Sequence, residues 1–248
     1  AHVGLDVTIP FKGFLKDKVR VGVMLSAPVN EIAYIKMHLP SDPFYPYFEN
    51  RTQRLILIPG VSFKLLDSAT WGRIGLGFGV NYFAGLDGAI IGYEGATRSV
   101  EARVWEELEG RFGTNLGLSW ELGRFKMGIS YRQAFGVDFH NISFNRVAGT
   151  NLNIDLTAKS LYSPHTLSYG VHYGGEGFTL DLDVSEYLWS YYRTPFVDMR
   201  SQLPLVGDLA SELPEVRFKN TIGVKLGGTY ALMKGLTLSG GLSFEQAM

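Results

Sequence analysis

The chain has 248 residues, 46% of them hydrophobic and 13% aromatic, with a formal net charge of −1 and no cysteine. So balanced a charge gives no electrostatic case for a nucleic-acid partner, and the lack of cysteine excludes disulfides and thiolate metal sites. No stretch approaches the ~18 consecutive apolar residues of a membrane-crossing helix, but a membrane barrel needs only about 10 alternating residues per strand.

Val3, Leu5, Val7 and Ile9 alternate with Gly4, Asp6 and Thr8 in a first strand. Because Ala1 runs directly into it, the chain reads as a mature form or a fragment. Pro10 to Asp17 is a short connection. Val19, Val21, Val23 and Leu25 form a second strand, interrupted at Pro28. A loop rich in proline follows and holds the aromatic cluster Phe44, Tyr45, Tyr47 and Phe48. The third strand runs from Arg54 to Leu66. In the fourth, Ile74, Leu76, Phe78, Val80 and Tyr82 alternate with Gly75, Gly77, Gly79 and Asn81. Its second face is nearly bare, which predicts a crowded interior or a bend. A phosphate-binding loop would open a helix, and nothing helical follows it.

Gly85 to Arg111 reads as a long connection. Val100, Val104 and Leu108 recur every four residues, predicting a short helix at Ser99 to Glu109; a strand extension is the alternative, since Val100, Ala102 and Val104 also alternate. Leu116 to Trp120 and Phe125 to Tyr131 are the fifth and sixth strands. From Phe135 to Ser163 the alternation continues, as strand extensions beyond a bilayer.

Pro164 to Tyr192 is a long hairpin, with Leu167, Tyr169, Val171, Tyr173 and Phe178, Leu180, Leu182, Val184 on one face. Gly174 to Gly177 turns it. Trp189, Tyr191 and Tyr192 gather at its far end, as aromatic residues do at a membrane surface. In the long loop Thr194 to Glu215, the segment between Pro204 and Pro214 predicts a helix of one or two turns. Strands nine (Ile222 to Tyr230) and ten (Leu236 to Phe244) close the chain.

Connections alternate strictly, short then long, and a soluble sandwich has no reason to segregate them so. Short periplasmic turns and long extracellular loops fit an all-β, antiparallel transmembrane barrel. Asp6, Arg54, Lys126, Arg132, Asp181, Asp183 and Lys225 fall on the polar faces. Charge is costly in lipid, so these faces point inward as a charge ladder.

Several stretches together resemble the FadL/TodX-type outer-membrane transporters of long-chain fatty acids and other hydrophobic compounds. They are VGLDVTIPFKGFLKDKVRVGVMLSAP, NRTQRLILIPGVSFKLLD with IGLGFGVNYFAGL, GTNLGLSWELGRFKMGISYR, the SEYLWSYY hairpin, and FKNTIGVKLGGTYALMKGLTLSGGLSFE, in that order along the chain. The resemblance implies a single β-barrel domain over residues 1–248, carrying about ten of fourteen strands, without the family's N-terminal hatch or last strands. It implies the outer membrane of a Gram-negative bacterium, contact with the bilayer and lipopolysaccharide, passive uptake of a hydrophobic ligand, no cofactor and no enzymatic activity. A structural barrel with protein partners in a larger outer-membrane assembly is the alternative.

The resemblance also suggests binding residues. The loop aromatics Phe44, Tyr45, Tyr47 and Phe48 would capture ligand, since an exposed apolar cluster often marks a binding patch. Arg54, Arg132 or Lys225 would receive a fatty-acid carboxylate, with His172 on the same polar face. No histidine pair has helical metal-ligand spacing. Ser168 or Ser185 with His172 is the one serine–histidine arrangement that a lipid hydrolase could use, and a structural polar network accounts for these residues better.

Overall fold

The computed structural model describes residues 2–26, 56–94, 100–147, 150–193, 196–203, 207–210 and 212–247. Among these, fourteen strands are hydrogen-bonded into one sheet. Ten of them form an antiparallel wall: β1 (His2–Thr8), β2 (Val19–Ser26), β3 (Ile56–Ser68), β4 (Gly72–Glu94), β5 (Val100–Leu122), β6 (Phe125–Arg132), β9 (His165–Gly174), β10 (Phe178–Leu188), β13 (Thr221–Met233) and β14 (Leu236–Glu245). These are the ten strands expected from the alternation.

The other four branch from the wall at its long-connection end. β7 (Phe135–Val147) pairs with β8 (Thr150–Ser163), β8 with β11 (Asp198–Leu203), and β11 with β12 (Gly207–Ala210). The branch joins the wall through a parallel pairing of Gly88–Ile91 in β4 with Asn141–Phe144 in β7. This one parallel pair departs from the purely antiparallel expectation. It lies on β4 beyond Ile56↔Phe83, the last pairing with β3 among the described residues.

Two expected helices are strands. Residues 100–109 lie in β5, which pairs with β4 without a break from Arg73↔Glu121 to Glu94↔Val100. The supposed long connection Gly85 to Arg111 is therefore mostly one hairpin, and the alternation of Val100, Ala102 and Val104 wins over the four-residue period. A short isolated helix is marginal in water, whereas a ladder extended from an existing sheet satisfies each backbone group as it grows. Residues 207–210, within the expected helix between Pro204 and Pro214, pair with β11 instead.

The five short turns carry every left-handed residue among those described: Gly13 and Asp17, then Gly72, Gly123, Gly177 and Gly235. Gly72 is the tightest. At φ +75° an added Cβ would lie 2.1 Å from the Glu121 carbonyl oxygen, a distance no side chain tolerates.

The wall has its apolar side out. Leu118, Ile129, Leu182 and Leu226 are 45%, 47%, 42% and 51% exposed, with the corresponding residues of the other strands beside them. Among the described residues the buried apolar side chains are Val19, Tyr162, Pro164, Trp189, Tyr192 and Val197. A water-soluble sheet would cover such a face; here lipid is the natural solvent. Aromatic residues flank the apolar band. Toward the long connections lie the Tyr82–Phe112 pair, 5.0 Å between ring centroids, and Tyr131 beside His165. Toward the short turns lie Trp71, Trp120 and the Phe125–Tyr173 pair at 4.8 Å, with Trp120 Nε1 donating to the Trp71 carbonyl at 2.8 Å. Phe112 and Trp120 are separated by about 26 Å along β5. A strand tilt of ~40° projects this to roughly 20 Å, close to the ~25 Å apolar band of an outer-membrane barrel.

Trp189 and Tyr192 do not belong to these girdles. They are 4% exposed each and pack with Tyr162 against Tyr187, Ala134 and Phe218. Only Tyr191 of that trio faces outward. The Tyr162 ring stacks on Tyr192 at 4.6 Å, and burial pushes its phenol above the ordinary 10.0. Because the folded value is raised, the neutral phenol's contribution is intact below about pH 10 and lost as pH climbs past it. The cluster is thus expected to open in alkali. Near-ultraviolet circular dichroism followed from pH 8 to 12 should show a loss of aromatic signal that shifts to higher pH in Tyr162→Phe; coincident titrations would count against this cause.

Candidate functional site: the polar concave face

A single recess of about 1040 Å³ is lined by residues of eight consecutive wall strands, from Thr8 in β1 to Asp183 in β10. Most of its lining comes from the polar rows, such as Thr8, Arg20, Ser62, Lys64, Ser130 and Asp183, and one recess bordered by eight adjacent strands lies on the hollow side of the sheet. The wall therefore curls, with its polar face concave. The ladder registers place its side chains in three tiers.

Nearest the short turns, charges alternate in sign. Lys64 Nζ lies 3.0 Å from Asp67 Oδ2, and Arg73 lies 3.7 Å from Asp67 and 3.5 Å from Glu121. Glu121 stands opposite Lys126, and Lys126 opposite His172. His172 Nδ1 is 2.6 Å from Asp181 Oδ1. Asp183 faces Lys225 across β10 and β13, while the Arg20–Asp6 pair stands higher, with Arg20 opposite Ser62 at the end of the middle row. This is the expected charge ladder.

The middle tier is neutral and small. One row across seven strands reads Ser62, Gly77, Gly117, Ser130, Ser168, Ser185 and Gly223. The Ser168 and Ser185 hydroxyls bond each other at 2.8 Å.

The tier nearest the long connections is polar but largely uncharged. Asn81, 4% exposed, and Asn115 exchange two amide hydrogen bonds of 3.1 and 2.9 Å. Beside them Arg132 Nη2 donates to Thr166 Oγ1 at 3.0 Å, while Arg132 Nε is buried with no hydrogen-bond partner.

Of the residues expected to bind ligand, Phe44, Tyr45, Tyr47, Phe48 and Arg54 lie outside the described residues. Arg132, His172 and Lys225 all occupy the concave face, but Arg132 lies in the tier nearest the long connections and the other two in the tier nearest the short turns. Arg132 faces Thr166 on β9, and Thr166 is six residues from His172, about 20 Å along the strand. They form no common carboxylate clamp. The imagined serine–histidine pair is also separated: Ser168 lies four residues from His172, about 13 Å, and His172 is turned to Asp181.

Sequence reading missed the Asn81–Asn115 pair and the neutral belt. Their one signal was the glycine-rich fourth strand. The expected crowding holds at Gly75, where an added Cβ would lie 2.9 Å from Ser119 Oγ, but not at Gly79 or Gly77, where the nearest atoms are 3.5 and 3.9 Å away.

No protein-family model matches the chain, and no curated protein is similar to it in sequence. Solved structures resemble it in fold. CymD, a monoaromatic hydrocarbon channel, is 14% identical with a TM-score of 0.54, over 100% of this chain and 68% of that one. The toluene transporter TodX of Pseudomonas putida is 15% identical with a TM-score of 0.52, over 99% of this chain and 67% of that one. At these identities the likeness is one of fold, and the fold is that of the FadL-type barrels of bacterial outer membranes.

Proposed function

We propose that this protein is an outer-membrane channel for passive uptake of hydrophobic molecules. The observation that carries the reading is the inversion of the sheet: an exposed apolar band on one side, and a concave polar face around a recess of about 1040 Å³ on the other. A molecule leaving water for an apolar site gains roughly 0.8 kcal/mol per buried methylene. Entry down that gradient needs no nucleotide.

Small aromatic hydrocarbons suit the neutral middle tier, and the hydrocarbon channels of like fold support that class. For long-chain fatty acids the supporting feature is Arg132, a guanidinium on the polar face of the kind that binds a carboxylate. The two classes separate by mutation. Arg132→Gln should raise the half-saturation for oleate about tenfold, the loss of one charge-assisted hydrogen bond, and leave toluene uptake unchanged. Equal effects on both would remove the carboxylate role.

Uptake of radiolabelled toluene by cells expressing the protein, compared with vector-only cells, tests the channel itself. Faster uptake is the expected result. Vector-level uptake with the protein correctly inserted would overturn the channel reading and favour a structural barrel that serves protein partners.

A further inference from the structure

We propose that the neutral belt of the concave face is a resting site for a small, flat apolar molecule of monoaromatic size, held against the bare backbone of Gly77 and Gly117, with Gly128 one row nearer the short turns. This rests on the channel reading and names where its cargo pauses.

Glycine weakens a strand, and inside one it commonly marks a bulge or a close approach by something else. Neither the wall's conformation nor its packing calls for glycine at these three positions. All three lie outside the left-handed region. A Cβ added at Gly77, Gly117 or Gly128 would meet its nearest atoms at 3.9, 3.9 and 3.8 Å, ordinary contact distances to backbone oxygens. Larger side chains would fit the wall, and they would fill the recess. The three are neighbours in space: Gly77 pairs with Gly117, and Gly128 with Ser119 on the same strand as Gly117. The glycines therefore keep the wall thin where the recess lies.

The chemistry of the belt selects the occupant. Its peptide groups are engaged in the β-ladder and present no free donor or acceptor, so an aromatic ring can lie against them without stranding a polar group. The tier below is lined with charges that hold water, and no charge interrupts the row from Ser62 to Gly223. A stretch of polypeptide is a poorer occupant. Its own backbone would need hydrogen-bond partners, and the belt offers little beyond the Ser62 and Ser130 hydroxyls, since Ser168 and Ser185 bond each other.

The chain has no cysteine, so Gly117→Cys introduces a single thiol at the belt, and Gly77→Cys supplies a second position should the first fail to fold. The rate of labelling by a water-soluble maleimide is measured in membranes, with and without toluene near aqueous saturation. The site predicts ready labelling that toluene slows at least tenfold. An unchanged rate overturns it, as does a thiol unreactive in both conditions, which would mean polypeptide covers the belt. Independently, Gly117→Leu should fold and cut toluene uptake at least tenfold; full uptake by a folded Gly117→Leu protein overturns the site. Protection by toluene without any wild-type uptake would retain the site and remove the channel reading.

Discussion

Replacing Ile129 with arginine is expected to destabilise the folded protein by about 2–4 kcal/mol, the cost of an arginine held near the middle of the bilayer on a barrel's lipid face. Ile129 is 47% exposed on the outer side, and its ladder neighbours Leu118 and Tyr169 are 45% and 43% exposed beside it. A soluble protein would accept arginine at such a position with a change of about 0.5 kcal/mol. The next residue gives the contrast. Ser130 faces the concave side between Gly117 and Ser168, where a long side chain has room and water. Ser130→Arg should cost under about 1 kcal/mol. Urea unfolding from lipid vesicles measures both. Similar losses at the two positions, or a larger loss at Ser130, would mean that the faces are assigned the wrong way round.

Trp189→Ala is expected to cost about 3–5 kcal/mol in the region it anchors, the range for deleting a large buried aromatic. Trp189 is 4% exposed, 6.0 Å from Tyr162 and 6.3 Å from Tyr192 between ring centroids, and Tyr192 lies 5.1 Å from Phe218. These rings tie the end of β8, the turn after β10 and the approach to β13 into one cluster. The loss should therefore appear first as local opening. Near-ultraviolet circular dichroism should weaken and protease should cut between residues 189 and 220, while far-ultraviolet β signal persists. A variant with unchanged protease resistance would show that the cluster does not hold this end together.

Why the wall was legible and its branch was not follows from the same ladder physics. In β6, Phe125, Met127, Ile129 and Tyr131 alternate with Lys126, Gly128, Ser130 and Arg132, and a period of two survives whichever side faces lipid. The positive-φ glycines at 123, 177 and 235 mark turns on sequence chemistry alone. Residues 100–109 misled because their valines and leucine satisfy a four-residue period as well as a two-residue one. What decided them was the pairing partner across β4, a non-local fact. The sequence just after β10 likewise presents Trp189 as a membrane-surface aromatic, whereas Tyr162 and Phe218, distant along the chain, bury it. The site was legible as a face but not as tiers. Alternation assigns Arg132, His172 and Lys225 to one side, and only the register shows Arg132 separated along it from the other two. The belt was visible as glycines without a reason until the space beside Gly77 and Gly117 was known.

Everything functional here depends on one claim, that the apolar face of the wall meets lipid and the polar face encloses the path. Single cysteines at each position from 125 to 132 of β6, in the otherwise cysteine-free chain, test it most directly. With a water-soluble maleimide in intact membranes, positions 126, 128, 130 and 132 should react and 125, 127, 129 and 131 should not, while an environment-sensitive dye attached at the odd positions should be quenched by brominated lipid. Labelling without a two-residue period, or reactive at the odd positions and protected at the even ones, would contradict the account.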